Sequence, residues 1–451
     1  MDLKDKKVLV IGLARTGMAT VLFLVRRGAI TMVTDLISPL EQQRRLQDLP
    51  IPPAAVQIVP YAASSLQGVD LVVPSPAVPP HDPLLKNALN RGIEIISETE
   101  LSFRYLRTPL IAITGTNGKT TTTTLVGEIL RHCGYRPFVG GNIGRPLIEY
   151  VDGNQEADCV VAEVSSFQLQ WVELFRPHVA ICLNVTTDHL DYHGNFADYL
   201  ACKLRLFARQ TKEDLAIVNA AESWATSVGQ IAPVRIAFFG GKQPRLPGIS
   251  LQEAKLIYQD ASGLREAYPQ DMVKIPGKHN LENCMAAILA AREFNCPPEE
   301  IIKAVSQFRG IPHRIEFAGE KGGVSFYDDS KGTNVGAVAR ALETFDQPTI
   351  LLMGGRDKDN DFNELTSSAL QRVKLLLTFG EAGDKIAGVL GDRVRTERRA
   401  RLGDAVCRAY ELAVPGDVVL LSPGCASFDE FANYGERGRF FQDVVKNLQE
   451  K

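Results

Sequence analysis

The stretch Ile111-Ala112-Ile113-Thr114-Gly115-Thr116-Asn117-Gly118-Lys119-Thr120 sets a lysine and a hydroxyl directly behind a glycine turn. An apolar run precedes the turn, and a pattern that becomes helical toward Ile129 and Leu130 follows it. Such a turn aims backbone N–H groups and the positive end of a helix at one spot, where an anion is stabilised. Lys119 adds a point charge for terminal phosphates, and the Thr120 hydroxyl suits Mg²⁺. The spacing therefore predicts an ATP site. The full phosphate-loop pattern has its first glycine where this chain has Ile113. The competing reading is an ordinary strand-to-helix turn.

Three further groups have chemical potential. Cys159-Val160-Val161-Ala162 reads as a buried strand that delivers Glu163 at its carboxyl end, where a carboxylate can hold Mg²⁺. The alternative is a helix-capping glutamate. Thr186-Thr187-Asp188-His189-Leu190-Asp191-Tyr192-His193 carries two histidines and two aspartates after another apolar run. They can bind metal or position phosphate, or stand as exposed loop residues. Lys203 falls on the helical face shared by Phe196, Leu200, Leu204 and Phe207, which predicts a core-facing stripe. Either the lysine snorkels to solvent, or desolvation lowers its pKa and leaves a neutral amine able to capture CO₂ as a carbamate.

Alternating strands and helices must position these groups. Lys7–Gly12, a helix from about Gly17 to Arg27 and Ile30–Thr34 open a doubly wound unit, with Asp35 closing its second strand. Ala14 stands where a dinucleotide fingerprint has its second glycine, so a nucleotide held less closely than NAD fits better. A first domain ends at about residue 97. Later strands at Val324–Tyr327, Thr349–Met353, Leu375–Phe379 and Val418–Ser422 each end in polar residues, the layout of a ligand-facing sheet edge. The segment from about Gly240 to Tyr268 carries no clear pattern.

With 451 residues the chain exceeds one core, and about three domains are expected. A net charge of −3 gives no electrostatic reason to expect nucleic acid or an anionic membrane. The 8 cysteines form no CxxC pair and read as reduced thiols. No signal-peptide core or membrane-length apolar run is visible, so a cytoplasmic protein without membrane insertion is expected.

Several segments together resemble the Mur ligase family, ATP-dependent enzymes that extend the peptidoglycan stem peptide. They are Thr114–Thr120, Glu163–Leu169, Asn184–Asp191, the Lys203 helix, His279-Asn280 and Pro312-His313-Arg314. The family's phosphate loop lacks the first glycine, which accounts for Ile113. Asp329–Asn334, Gly354–Lys358 and Ser422–Asp429 are similar to the branch that adds D-glutamate to UDP-N-acetylmuramoyl-L-alanine. Ala14 and Ala77 depart from the glycine frequent in close relatives.

The resemblance implies three α/β domains. These are a Rossmann-like domain at 1–97 for the UDP substrate, a central phosphate-loop ATPase domain with a mostly parallel sheet at 98–310, and a Rossmann-like domain at 311–451 for the amino acid. It implies catalytic roles for Lys119, His189 and Lys203. ATP would be held by Gly115, Thr116, Asn117, Gly118, Lys119, Thr120, Thr121, Asn283, Arg314 and Asp329. Two Mg²⁺ ions would lie on Thr120, Glu163, His189 and a CO₂-derived carbamate at Lys203. Thr16, Asp35, Ser75, Asn142 and Ser165 would face the UDP substrate, and Lys331, Thr333, Lys358, Ser427 and Tyr434 would receive D-glutamate. A monomer acting on ATP, D-glutamate and the muramoyl nucleotide is expected. Rival readings are a folylpolyglutamate synthetase-like ligase, a phosphate-loop switch and a nicotinamide oxidoreductase.

Overall fold

Three sheets carry the chain in a computed structural model that describes residues 1–186, 188–241, 245–357, 360–366 and 370–449, the side chains of 190 and 191 excepted. The residues cluster into two units, 1–272 with 281–307, and 273–280 with 308–451. In the first unit an all-parallel sheet runs in the order Val56–Ile58, Ile30–Thr34, Lys7–Ile11, Leu71–Pro74, Glu94–Ile95. A nine-stranded sheet follows in the order Arg265–Pro269, Lys255–Gln259, Gly248–Gln252, Arg235–Phe239, Leu215–Asn219, Val179–Cys182, Leu110–Thr114, Cys159–Glu163, Pro137–Gly141. Its inner strands are parallel and buried end to end, which is why they read as unbroken apolar runs. The stretch without a clear pattern contains an antiparallel meander of the last three strands, Gly248–Gln252, Lys255–Gln259 and Arg265–Pro269.

The second unit holds a six-stranded sheet ordered Glu316–Lys321, Val324–Asp328, Val418–Gly424, Thr349–Gly354, Val373–Phe379, Thr396–Arg398. The first two strands pair antiparallel and the remainder parallel. Apolar layers cover both faces, with Val338, Leu351 and Ile386 in one and Phe326, Leu352 and Phe441 in the other.

One expected stripe is kept only in part: Leu200, Leu204 and Phe207 pack on the core, and Phe196 does not. The helix Phe196–Leu204 buries Tyr199, Cys202 and Lys203, while Phe196 is 40% exposed. The face thus continues through Leu206 and Phe207 in the short turn beyond. Helical periodicity finds the face, and its first residue falls away because it stands at the exposed start of the helix.

The two sheets of the first unit are joined through the helix Glu98–Phe103. Its buried Glu100 carboxylate accepts the N–H groups of Glu173, Leu174 and Phe175 at 3.0, 3.0 and 2.9 Å, and Arg104 Nε at 2.8 Å. Glu100→Ala leaves these donors unanswered. We expect a loss of about 3–5 kcal/mol, read as a fall in Tm; an unchanged Tm would show the pin to be dispensable.

Candidate active site

The middle strand Leu110–Thr114 feeds Gly115 and the helix Lys119–His132. Gly118 caps that helix at φ +83°, and a Cβ there would lie 2.3 Å from Asn283 Oδ1. Glycine is thus required both by conformation and by the approach of Asn283. The loop is held from outside: Asn184 Oδ1 accepts the Asn117 N–H at 2.9 Å, and Asn184 Nδ2 donates to Asn117 O at 3.2 Å. Thr116 Oγ1 meets Tyr199 OH at 3.0 Å and accepts the Thr186 N–H at 3.0 Å. A loop tied at this many points is preorganised, so little ordering cost remains when a phosphate arrives.

Two ammonium groups converge on one carbonyl. Lys119 Nζ donates to Gly115 O and Thr116 O, both at 2.9 Å. Lys203 Nζ donates to Gly115 O at 2.9 Å and lies 4.7 Å from the Tyr199 ring centroid. Lys203 is 1% exposed, so it does not snorkel. Burial, reinforced by the nearby Lys119 charge, pulls its pKa down to about 7. A sizeable neutral fraction is therefore present near neutral pH.

Glu163 ends the neighbouring strand, in register with Ile113, and is 2% exposed. Its Oε1 accepts Asn142 Nδ2 at 2.8 Å, while Oε2 is buried without a hydrogen-bond partner. The helix-capping alternative fails, because the cap of the helix Ser166–Leu169 is Ser165, in a reciprocal capping box with Gln168. His189 is an exposed loop residue at φ +53°, with its ring 4.8 Å from that of Phe167. His193 is buried instead and bonds Ser166 Oγ at 3.0 Å. Thr187 lies outside the described residues, as does the Asp191 side chain.

At the first sheet, Gly12 (φ +94°) packs against Ser75, and a Cβ on Gly17 would lie 1.9 Å from Gly12 O. The loop is thereby closed tightly onto the helix Arg15–Arg26. That helix starts at Ala14 with no side-chain cap, leaving its first N–H groups suited to an anion. Thr16 sits in its first turn. Asp35 is engaged locally, Oδ2 accepting the Leu13 N–H at 2.6 Å and Oδ1 the Ile37 N–H at 3.2 Å.

In the second unit, Asp329 follows the strand Val324–Asp328 and accepts Ser422 Oγ at 2.7 Å. Burial raises its pKa to about 7, with the Arg314 charge opposing. Lys331 Nζ lies 5.8 Å from the Tyr434 ring centroid. Thr333 is half-buried and Ser427 buried, and Lys358 is outside the described residues. Of the expected ATP contacts, Asn283 meets the phosphate loop, whereas Arg314 and Asp329 both lie in the second unit, where the Arg314 charge acts on the Asp329 carboxyl.

Sequence reasoning passed over Asn184, Tyr199 and Arg437 as site residues. Tyr199 had a signal, lying one helical turn before Lys203. Arg437 had none: fully buried, it donates from Nε to Ser330 Oγ at 2.9 Å and from Nη2 to Ser330 O and Cys425 O at 2.8 and 3.1 Å. Such a tertiary role leaves no periodic trace.

Comparison with known proteins accounts for nearly the whole chain. Residues 6–97 match the model of the Mur ligase MurD-like N-terminal domain, 113–291 the Mur ligase middle domain and 313–425 the Mur ligase glutamate ligase domain. A UDP-N-acetylmuramoylalanine--D-glutamate ligase of Syntrophus aciditrophicus is 52% identical, covering 99% of both chains. One from Geotalea uraniireducens is 42% identical, over 100% of this chain and 99% of its own. The fold is shared with a UDP-N-acetylmuramate-alanine ligase of Thermotoga maritima (TM-score 0.57, 20% identity, 98% and 100% covered) and a MurF ligase of the same organism (TM-score 0.61, 15% identity, 99% and 97% covered). The chain belongs to the Mur ligase family, in its UDP-N-acetylmuramoylalanine--D-glutamate ligase branch.

Proposed function

We propose that the protein joins D-glutamate to UDP-N-acetylmuramoyl-L-alanine with consumption of ATP, as a cytoplasmic, monomeric enzyme of peptidoglycan precursor synthesis. The observation that carries the reading is 52% identity, end to end, to a D-glutamate ligase. Among the described residues no helix is long and apolar enough to cross a membrane. Residues 1–97 would hold the UDP end through Thr16, Ser75 and Asp35. Residues 98–310 would hold ATP, with Asn142 and Ser165 toward the muramoyl group. Residues 311–451 would bring Arg314 and Asp329 to the nucleotide and Lys331, Thr333, Lys358, Ser427 and Tyr434 to D-glutamate.

A carboxylate is a poor acylating agent. Its oxygen therefore attacks the γ-phosphorus of ATP, the bond to the β-bridging oxygen breaks, and an acyl phosphate and ADP form. The D-glutamate amine then attacks the acyl carbon, loses a proton, and expels phosphate from a tetrahedral intermediate. Lys119 and the loop N–H groups would offset charge on the transferring phosphoryl group. The two carboxylates of D-glutamate call for the cation and hydroxyl donors gathered in the second unit. Mg²⁺ when bound supplies charge neutralisation between anions that otherwise repel. Thr120, Glu163, His189 and carbamylated Lys203 would hold it, and the unpartnered buried Glu163 Oε2 fits a hard cation.

The test is phosphate release and amide formation with ATP, magnesium and UDP-N-acetylmuramoyl-L-alanine, with D-glutamate present or omitted. New amide and sustained phosphate release only with D-glutamate are expected. Steady release without any amino acid would favour a switch ATPase. Activity with a folate in place of the muramoyl nucleotide would favour the folylpolyglutamate-type reading.

A further inference from the structure

Beside the six-stranded sheet of the second unit lies a group whose role none of the preceding chemistry uses. His313, Glu316 and Asp328 place ligand atoms within 4.8 Å of one another, the only such cluster of metal-ligating side chains among the described residues. Its lone pairs are already committed. His313 Nδ1 bonds Asp328 Oδ2 at 2.7 Å, and Gln442 Nε2 donates to that same oxygen and to Glu316 Oε2, both at 2.9 Å. Asp328 Oδ1 accepts the Ser330 N–H at 2.9 Å. The Gln442 amide already bridges the two carboxylates, and in this arrangement the cluster acts as a clasp.

The clasp joins three segments of chain. His313 stands in the segment entering the sheet, at φ +63°, with its N–H on Glu316 Oε2 at 2.8 Å. Its carbonyl accepts the Lys331 N–H at 3.0 Å. The helix Tyr434–Asn447 closes over the pair so tightly that a Cβ on Gly438 would lie 2.1 Å from His313 Nδ1 and 2.6 Å from Asp328 Oδ2. From the same helix Arg437 grips Ser330. His313 thus touches, through side chain and backbone, both ends of the turn Asp328-Asp329-Ser330-Lys331.

We propose that His313 is a positioning residue for ligation: clasped to Asp328, it fixes the turn that presents Asp329 and Lys331, and it holds Arg314 beside Asp329. This rests on the reading of Lys331 as a D-glutamate contact. The Asp328 carboxylate raises the His313 pKa, with Glu316 adding to and Arg439 opposing that effect, and the Tyr434 ring stands edge-on at 6.4 Å. The imidazolium therefore survives further toward neutrality, and while it is protonated its bond to Asp328 is charge-assisted.

The test uses the full-length enzyme and steady-state KM values for both D-glutamate and UDP-N-acetylmuramoyl-L-alanine. His313→Ala should raise the D-glutamate KM about tenfold or more while the muramoyl KM stays within about twofold, since the residues assigned to that substrate lie in other segments. His313→Asn should return the D-glutamate KM to within about threefold of wild type, because its amide nitrogen falls where Nδ1 was and asparagine tolerates positive φ. Should His313→Ala fail to fold, Asp328→Asn, which keeps an acceptor but drops the charge, is read by the same two KM values. A D-glutamate KM that stays put, a parallel rise in both KM values, or an asparagine variant no better than alanine would overturn the proposal. Lys331→Ala is the separate arm: if it leaves the D-glutamate KM unchanged, the site reading fails whatever His313 does.

Discussion

Lys119→Ala is expected to lower turnover by about 10²–10³-fold while leaving the fold intact. The side chain is half-buried and bonds two carbonyls of its own loop, Gly115 O and Thr116 O. Gly115 O keeps Lys203 Nζ as a donor when the Lys119 ammonium is removed, so stability should move little. Turnover depends on charge that develops during phosphoryl transfer, where a point charge fixed at the helix start acts without reorganisation. A loss seen in kcat with the muramoyl KM nearly unchanged would match an interaction made in the transition state. Arginine should not restore it, because a planar fork cannot occupy the space of a compact ammonium. Phosphate release measured with saturating substrates decides the matter, and near-normal turnover would discredit the role.

What the sequence showed, and what it hid, follows from the range of each interaction. Strands buried on both faces, such as Leu110–Thr114, Cys159–Glu163 and Thr349–Gly354, announce themselves as apolar runs, and their carboxyl ends place Glu163 and Gly354 at a sheet edge without further information. The meander from Gly248 to Pro269 was illegible because its strands alternate weakly, mixing exposed Leu251 and Lys255 with buried Leu256 and Tyr268. Consecutive residues are buried in two of these strands, Gly248-Ile249-Ser250 and Leu256-Ile257, so no two-residue alternation stands out. In the Lys203 helix only Phe196 leaves the expected face, and Lys203 belongs to both the expected and the observed buried face.

The candidate site divides in the same way. The phosphate loop is a local motif, and local motifs survive in one dimension. The cap at Ser165 is local too, and the reciprocal Gln168 three residues on could have ruled out the capping reading of Glu163 from sequence alone. Asn184 grips Asn117 across 67 positions, and Arg437 grips Ser330 across 107. No spacing rule reaches that far. Residues that hold a site in place, as opposed to those that face the ligand, are therefore the ones hidden from a single sequence.

Lys203→Met should make the protein more stable near neutrality and nearly inactive. The folded pKa of Lys203 is about 7 against an ordinary 10.5. Below about pH 7 the ammonium is present in both folded and unfolded chains, and the full cost of burying it, on the order of 3–5 kcal/mol, weighs against folding. Between the two pKa values the unfolded chain keeps the proton that the folded chain has lost. Wild-type stability therefore rises with pH across that window, by linkage. Methionine is unbranched and apolar and can follow the path of the lysine stem. It forgoes the hydrogen bond to Gly115 O, worth about 1 kcal/mol, so a net gain of about 2–4 kcal/mol at about pH 6 is expected, shrinking toward about pH 10. Thermal melts of both proteins across that range measure it, and a methionine variant no more stable than wild type at the acid end would sink the burial argument. The loss of turnover, about 10²–10³-fold, has a separate control. The neutral amine adds to CO₂ with loss of one proton, giving a carbamate whose remaining N–H can still donate to Gly115 O. Lys203→Ala lacks that carboxylate, and added formate or acetate should return part of its activity. Full activity without either would remove the carbamate and leave Lys203 a buried cation with a cost and no use.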